Sequence, residues 1–200
     1  LVNGMEPGVN AAFEKSLETL EGLGATLEEV SLPLTDQALA VYYIIAPSEA
    51  SANLARYDGF KYGNAVNDVP TAWDVMDHTR EQGFGAEVKR RILIGAYALS
   101  AGYYDAYYKK AQQVRTLIHR EFASTFEKFD ALVTPTSPTV AFKSGDRIDD
   151  PVAMYLSDVC TIPVNIAGLP AISVPGGMSE ESYAEEPPVG ADAPSPDQKL

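Results

Sequence analysis

The chain has 200 residues, 46% of them hydrophobic and 22% charged, which describes a globular polypeptide able to bury a sizeable core. A formal charge of -13 argues against a direct phosphate-backbone partner unless basic residues cluster on one face. One cysteine excludes an internal disulfide framework and fits a reducing cytoplasm, and no apolar run reaches the ~20 residues of a membrane span.

In chain order, Pro7, Phe13, Leu17 and Leu20 keep helical spacing up to Gly22 and Gly24, natural C-cap residues. Leu27, Val30 and Leu32 before Pro33 predict a short strand, the first hint of an α/β layer architecture. From Thr35 and Asp36, either of which can N-cap, Leu39, Tyr42, Tyr43, Ile45 and Ala46 run helically to Pro47, which should end or kink the helix. A second helix is expected to resume at Ser48. Residues 57–85 are rich in Gly, Asp and Asn without sustained periodicity and read as a long loop.

Val88, Ile92, Gly95, Ala96 and Leu99 predict one helix, and the stripe from Tyr104 through Val114, Ile118 and Phe122 to Phe126 a second. Lys109, Lys110, Arg115 and Arg120 spread along the second helix as a solvated face. The run ALVTP at 131–135 has the pattern of a short buried strand. A helix is expected over 154–159, a break at Pro163 and a β-branched strand over 171–174. Residues 179–200 hold six acidic side chains, one lysine and four prolines. Such a segment buries too little apolar area to offset its ordering entropy and is expected to be disordered. The opening LVNGMEPG lacks Met at position 1 and reads as the middle of a longer protein, although a processed terminus would look the same.

The short catalytic motifs GxSxG, GxGxxG, HExxH and CxxC and the Walker loop are absent. His119 falls on the polar side of its helix, and His78 has no Cys or His near it in sequence, so no metal site is expected. Cys160, in an apolar context, reads as a small buried hydrophobe. The informative residues are polar ones in apolar surroundings. In EVKRRILIGAYALS, Arg91 shares a face with Val88 and Gly95 while Arg90 turns away. Asp158 lies among Met154, Tyr155, Leu156, Val159, Cys160 and Ile162, where a buried carboxylate needs a partner. It is either a turn cap or ion-pair member, or part of a functional pocket.

The stretches YYIIAPSEASANLARYDGFKYG, EVKRRILIGAYALSAGYYDAYYKKAQQVRTLI, ALVTPTSPTVAF and DPVAMYLSDVCTIPVNIAGLPAISVPGG carry a resemblance. In order, they are similar to consecutive blocks of the A subunits of the glutamyl-tRNA(Gln)/aspartyl-tRNA(Asn) amidotransferases, within the amidase-signature family. The resemblance covers residues 1–178, and the paired tyrosines followed by KKAQQVR separate these subunits from general amidases. It implies the C-terminal portion of an α/β/α fold around a mixed sheet, with 179–200 as a tail.

The activity implied is glutamine hydrolysis, with ammonia delivered to Glu-tRNA(Gln) or Asp-tRNA(Asn) on a partner B subunit. The partners implied are the B and C subunits. Contact with tRNA would run only through the partner, and ATP and Mg would belong to the B subunit, with no cofactor in this chain. The family's Ser, cis-Ser, Lys triad comes from an upstream lysine and a Gly-Ser-rich segment, neither of which has a counterpart here. No catalytic residue is therefore assigned, and the chain alone is expected to be inactive.

The substrate-reading positions do carry over. The resemblance implies that Arg91 reads the glutamine α-carboxylate, that Asp158 reads the α-ammonium and that Tyr42 lines the same pocket. A guanidinium matches a carboxylate with two parallel hydrogen bonds, and a carboxylate is the natural acceptor for an ammonium. A general amide hydrolase and a non-catalytic subunit-docking module are the competing readings. After PGG the family continues through a Pro-Val-Gly step, kept here at Pro188, Val189 and Gly190, before ADAPSPDQKL departs from it.

Overall fold

The computed structural model describes residues 5–143, 154 and 156–179. Six α-helices have both ends among them: α1 (Pro7–Gly22), α2 (Ala38–Leu54), α3 (Ala72–Gly83), α4 (Ala86–Leu99), α5 (Tyr108–Thr125) and α6 (Ile162–Ala167). A 3-10 turn, Pro33–Gln37, leads into α2.

The core follows from which apolar stripes meet. Ala38, Val41 and Ile45 of α2 pack with Ala111, Ile118 and Phe122 of α5 and with Ile162, Ile166 and Ala167 of α6. Ile118 is fully buried, and removing such a side chain from water stabilises by about 1.5–3 kcal/mol. α2 is hydrophobic nearly all round because its other side is covered by α4. Gly95 makes that crossing close: a Cβ there would sit 2.0 Å from the Pro47 carbonyl oxygen and 2.8 Å from Ser51 Cβ.

Polar ties fix the ends of these elements. Both Glu121 oxygens accept from the Leu34 backbone N–H, at 3.2 and 3.1 Å, and hold the 3-10 turn against α5. Arg115 Nε and His119 Nδ1 donate to the carbonyls of Ile166 and Ala167, both at 2.9 Å, where α6 ends on the left-handed Gly168 (φ 74°). Side-chain donors at a helix C-terminus satisfy carbonyls without intrahelical partners, and the charge of Arg115 complements the helix dipole. His119 is exposed, as its place on the polar side predicts, yet its ring nitrogen is committed to this cap.

Several expectations are corrected. Pro47 does not divide α2; the helix runs through it, and the proline is buried. Burial against α4 offsets the hydrogen bond Pro47 cannot donate, and Ser48 Oγ donates to the Ile44 carbonyl at 2.6 Å. The expected loop over 57–85 contains α3. Its start is a capping box, in which Thr71 Oγ1 accepts from the Asp74 N–H at 3.2 Å and Asp74 Oδ2 accepts from the Thr71 N–H at 3.1 Å. Residues 101–107 are turns, so α5 begins at Tyr108 rather than Tyr104. Pro163 does not break a helix but stands in the first turn of α6, where its missing N–H costs nothing. Of the helix expected over 154–159, Met154 and Leu156 are helical, residues 157–161 turn, and Tyr155 lies outside the described residues.

The strands expected over 27–32, 131–135 and 171–174 are not strands, and the described residues contain no β-strand. A strand is defined by its ladder, and no backbone hydrogen bonds pair these segments with one another. The second and third do run close, with Thr136 Oγ1 3.3 Å from Ser173 Oγ. α1 anchors both: the Glu6 N–H donates to the Pro138 carbonyl at 2.9 Å, and Ser16 Oγ donates to the Gly176 carbonyl at 2.7 Å. The expected tail over 179–200 lies, beyond Ser179, outside the described residues.

Candidate functional site

The crossing of α2 and α4 brings Tyr42 and Arg91 together. Periodicity turns Arg91 to the Gly95 side of α4, and because Gly95 lets the helices touch, the guanidinium reaches the phenol. Arg91 Nη1 donates to Tyr42 Oη at 3.1 Å. Tyr42 is itself braced by Tyr43, whose ring meets it edge-on with centroids 5.3 Å apart.

The Arg91 side chain is 34% exposed, so it remains partly accessible beside the hydrogen bond to Tyr42. Its Nε–H donates to Glu87 Oε1 at 2.8 Å, one turn earlier on α4. Arg90 is not turned away from this network: its Nε–H donates to Glu87 Oε2 at 2.9 Å, and its Nη2 also contacts that oxygen. One carboxylate thus grips two adjacent arginines. The Arg91 hydrogen bond, ahead of that from Arg90, holds the Glu87 carboxyl below its usual range. In return, the Glu87 hydrogen bond is the largest cause raising the Arg91 guanidinium above its ordinary value, with a smaller contribution from Tyr42. Sequence reasoning misses Glu87, although spacings of three and four residues to Arg90 and Arg91 are the signal for such a pair.

Asp158 stands in the turn over 157–161 that leads into α6. It is exposed, contrary to the expected buried carboxylate, because the segment leaves the helix for a turn over 157–161 whose apolar neighbours Met154 and Leu156 are exposed as well. Its backbone carbonyl, not its carboxylate, makes the turn, accepting from the N–H groups of Thr161 and Ile162, both at 3.0 Å. Among the described residues the carboxylate makes no hydrogen bond or ion pair, and none links it to Tyr42 or Arg91. Cys160, two residues on, is buried, and desolvation pushes its thiol up, which disfavours a thiolate.

Among the described residues no three His, Cys, Asp or Glu side chains gather as metal ligands, and no helix is long and apolar enough to cross a membrane. A separate groove of about 620 Å³ opens between α2, α3 and α4, walled by Leu54, Phe84, Ile92 and Leu93. Its cations are engaged: Arg80 donates to the carbonyls of Ala55 and Tyr57 at 2.8 and 3.0 Å, and Lys89 Nζ to that of Glu81 at 2.7 Å.

Comparison with known proteins places this geometry in a lineage. The A subunit of the glutamyl-tRNA(Gln) amidotransferase of Chloroflexus aggregans is 63% identical over 179 residues, and that of Exiguobacterium 58% identical over 180. Each alignment covers 90% of this chain but only 36% and 37% of the relative, so the chain spans about a third of their length. The crystal structure of the glutamyl-tRNA(Gln) amidotransferase A subunit from Thermotoga maritima superposes with a TM-score of 0.63 at 44% identity, over 89% of this chain and 34% of that one. The amidase family model matches residues 1–196, and the chain belongs to the amidase family.

Proposed function

We propose that this chain forms the glutamine-reading part of an amidotransferase A subunit, with Tyr42 and Arg91 binding the α-carboxylate and Asp158 the α-ammonium. The observation that carries this reading is the Arg91–Tyr42 contact across the α2/α4 crossing, which leaves the guanidinium partly exposed. A guanidinium fixed by a phenol and a carboxylate is prepared for a bidentate carboxylate ligand. Asp158, exposed and free of a protein partner among the described residues, is available to an ammonium.

The reaction would be hydrolysis of the glutamine side-chain amide by a serine nucleophile outside this chain. The ammonia would amidate Glu-tRNA(Gln) or Asp-tRNA(Asn) on a B subunit holding ATP and Mg, with a C subunit completing a cytoplasmic complex. The residues here supply binding and orientation, not bond breaking. The chain alone should therefore release no ammonia from glutamine.

The test uses the full-length subunit carrying this segment. Arg91→Lys keeps the charge and loses the fork; Asp158→Asn keeps the shape and loses the charge. A charge-assisted hydrogen bond contributes about 1.5–3 kcal/mol, so each variant should raise the glutamine KM roughly 10-fold to 150-fold. Hydrolysis of a plain amide with neither charged group should stay near wild type, which also separates this reading from a general amide hydrolase. Wild-type glutamine kinetics in both variants, with a lowered melting temperature, would move these residues from the pocket to the scaffold.

A further inference from the structure

We propose that Glu87 is a positioning residue for glutamine recognition: by clamping the Nε edge of Arg91, it aims the Nη1/Nη2 edge at the substrate carboxylate. The inference rests on the preceding assignment of Arg91 to that carboxylate. It is carried by geometry. A guanidinium offers two edges for bidentate pairing, one formed by Nε and an Nη, the other by the two Nη groups. Glu87 Oε1 accepts from Nε at 2.8 Å, and Tyr42 Oη accepts from Nη1 at 3.1 Å. With Nε engaged on α4 and Nη1 on α2, the plane of the guanidinium is set by groups on two different helices. Nη1 carries a second N–H and Nη2 makes no hydrogen bond among the described residues, so the edge joining them keeps a donor on each nitrogen for a ligand.

Glu87 suits this task for two further reasons. It lies in the first turn of α4, where a negative charge is favoured by the helix dipole, so its ionised form is stabilised before any arginine is considered. It also binds Arg90 through its other oxygen, and that second grip limits rotation of the carboxylate about its own side chain. A long, rotamer-rich arginine loses entropy when a ligand immobilises it; a clamp that has already restricted it lowers that loss on binding.

The experiment measures steady-state kinetics of the full-length subunit with Glu87→Gln, Glu87→Asp and Arg91→Lys, on glutamine and on a plain amide without an α-carboxylate. Both Glu87 variants should raise the glutamine KM about 1.5-fold to fivefold, the range of a partly exposed ion pair, with kcat within about 1.3-fold of wild type. Plain-amide kinetics and melting temperature should not change. Glu87→Asp is informative because it keeps the charge at the helix N-terminus but withdraws the carboxylate by one methylene. If Glu87→Gln is impaired while Glu87→Asp is normal, the residue acts through helix charge and the proposal is overturned. Equal losses on glutamine and on the plain amide would make Glu87 a structural residue only. If Arg91→Lys raises the glutamine KM and neither Glu87 variant does, the clamp is refuted and the carboxylate assignment survives. A wild-type KM in Arg91→Lys refutes the assignment itself, and the clamp with it.

Discussion

At the scale of single residues, the sequence distinguishes Arg91 from Arg90 by helical phase, and the structure brings Arg91 to Tyr42. The spacings from Glu87 to both arginines are legible too, but that one carboxylate grips both at once, an oxygen to each, emerges only in three dimensions. Asp158 shows the opposite limit: apolar neighbours in sequence imply burial only if the local backbone keeps helical phase, and the turn over 157–161 does not. Tyr42→Phe should raise the glutamine KM roughly 10-fold or more in the full-length subunit, since its hydroxyl bonds charged groups and such a hydrogen bond is worth about 1.5–3 kcal/mol. Melting temperature should hardly move, because the edge-on contact with Tyr43 does not need the hydroxyl. A normal KM would remove the phenol from the pocket. Tyr97 gives a separate check on the turn between α4 and α5. Tyr103, whose ring centroid is 4.4 Å away, is the first cause raising the Tyr97 phenol from 10.0 to about 12. The folded value exceeds the unfolded one, so the contribution to stability is complete below pH 10.0 and lost as pH rises through about 12. Spectrophotometric titration should find one tyrosine ionising late, and Tyr103→Phe should return it to the ordinary range; an unchanged titration would mean the second phenol does not act on the first.

At the scale of elements, α1, α4 and α5 are legible because their apolar residues recur every three or four positions. α3 escapes that criterion, since Trp73 is exposed and the helix buries little besides Thr79; its signal is the Thr71 to Asp74 capping box instead. Thr71→Ala should cost about 1 kcal/mol, read from a shifted denaturation midpoint. The continuity of α2 through Pro47 is not legible at all, because it depends on what packs against the proline. That packing is also the most sensitive point of the molecule. Gly95→Ala gains about 1 kcal/mol of helix propensity but sets a Cβ against the Pro47 carbonyl, backbone that cannot rotate aside. α2 and α4 must separate, with an overpacking cost of about 1–3 kcal/mol. Net destabilisation in chemical denaturation is expected, and because Tyr42 and Arg91 meet across the same crossing, a raised glutamine KM should accompany it in the full-length subunit. A more stable Gly95→Ala protein would show that the helices do not approach this closely.

At the scale of the whole molecule, the β-branched runs at 131–135 and 171–174 have strand composition, but composition cannot supply a neighbour. Helices satisfy their backbone groups internally and so form here, whereas each strand needs a second chain segment at ladder distance. The consequence is an uneven surface. α2, α5 and α6 share a closed core, while beside α1 the chain exposes Val133 (50%), Ile172 (87%), Val174 (68%) and Met178 (90%). Clustered apolar exposure on a chain of charge -13 should bind a hydrophobic dye even with native helix content, and should drive association as concentration rises. Ile172→Glu and Val174→Glu together should reduce both effects and leave helical circular dichroism unchanged, because neither side chain belongs to the α2/α5/α6 core. Ile118→Ala, a cavity in that core, should do the reverse, costing about 2–5 kcal/mol and raising dye binding. The decisive comparison is between these two variants by dye fluorescence and sedimentation. If the double glutamate variant binds dye and self-associates like the wild type, the exposed runs are not the adhesive surface, and the segments at 131–136 and 171–178 are covered in solution by another part of the chain.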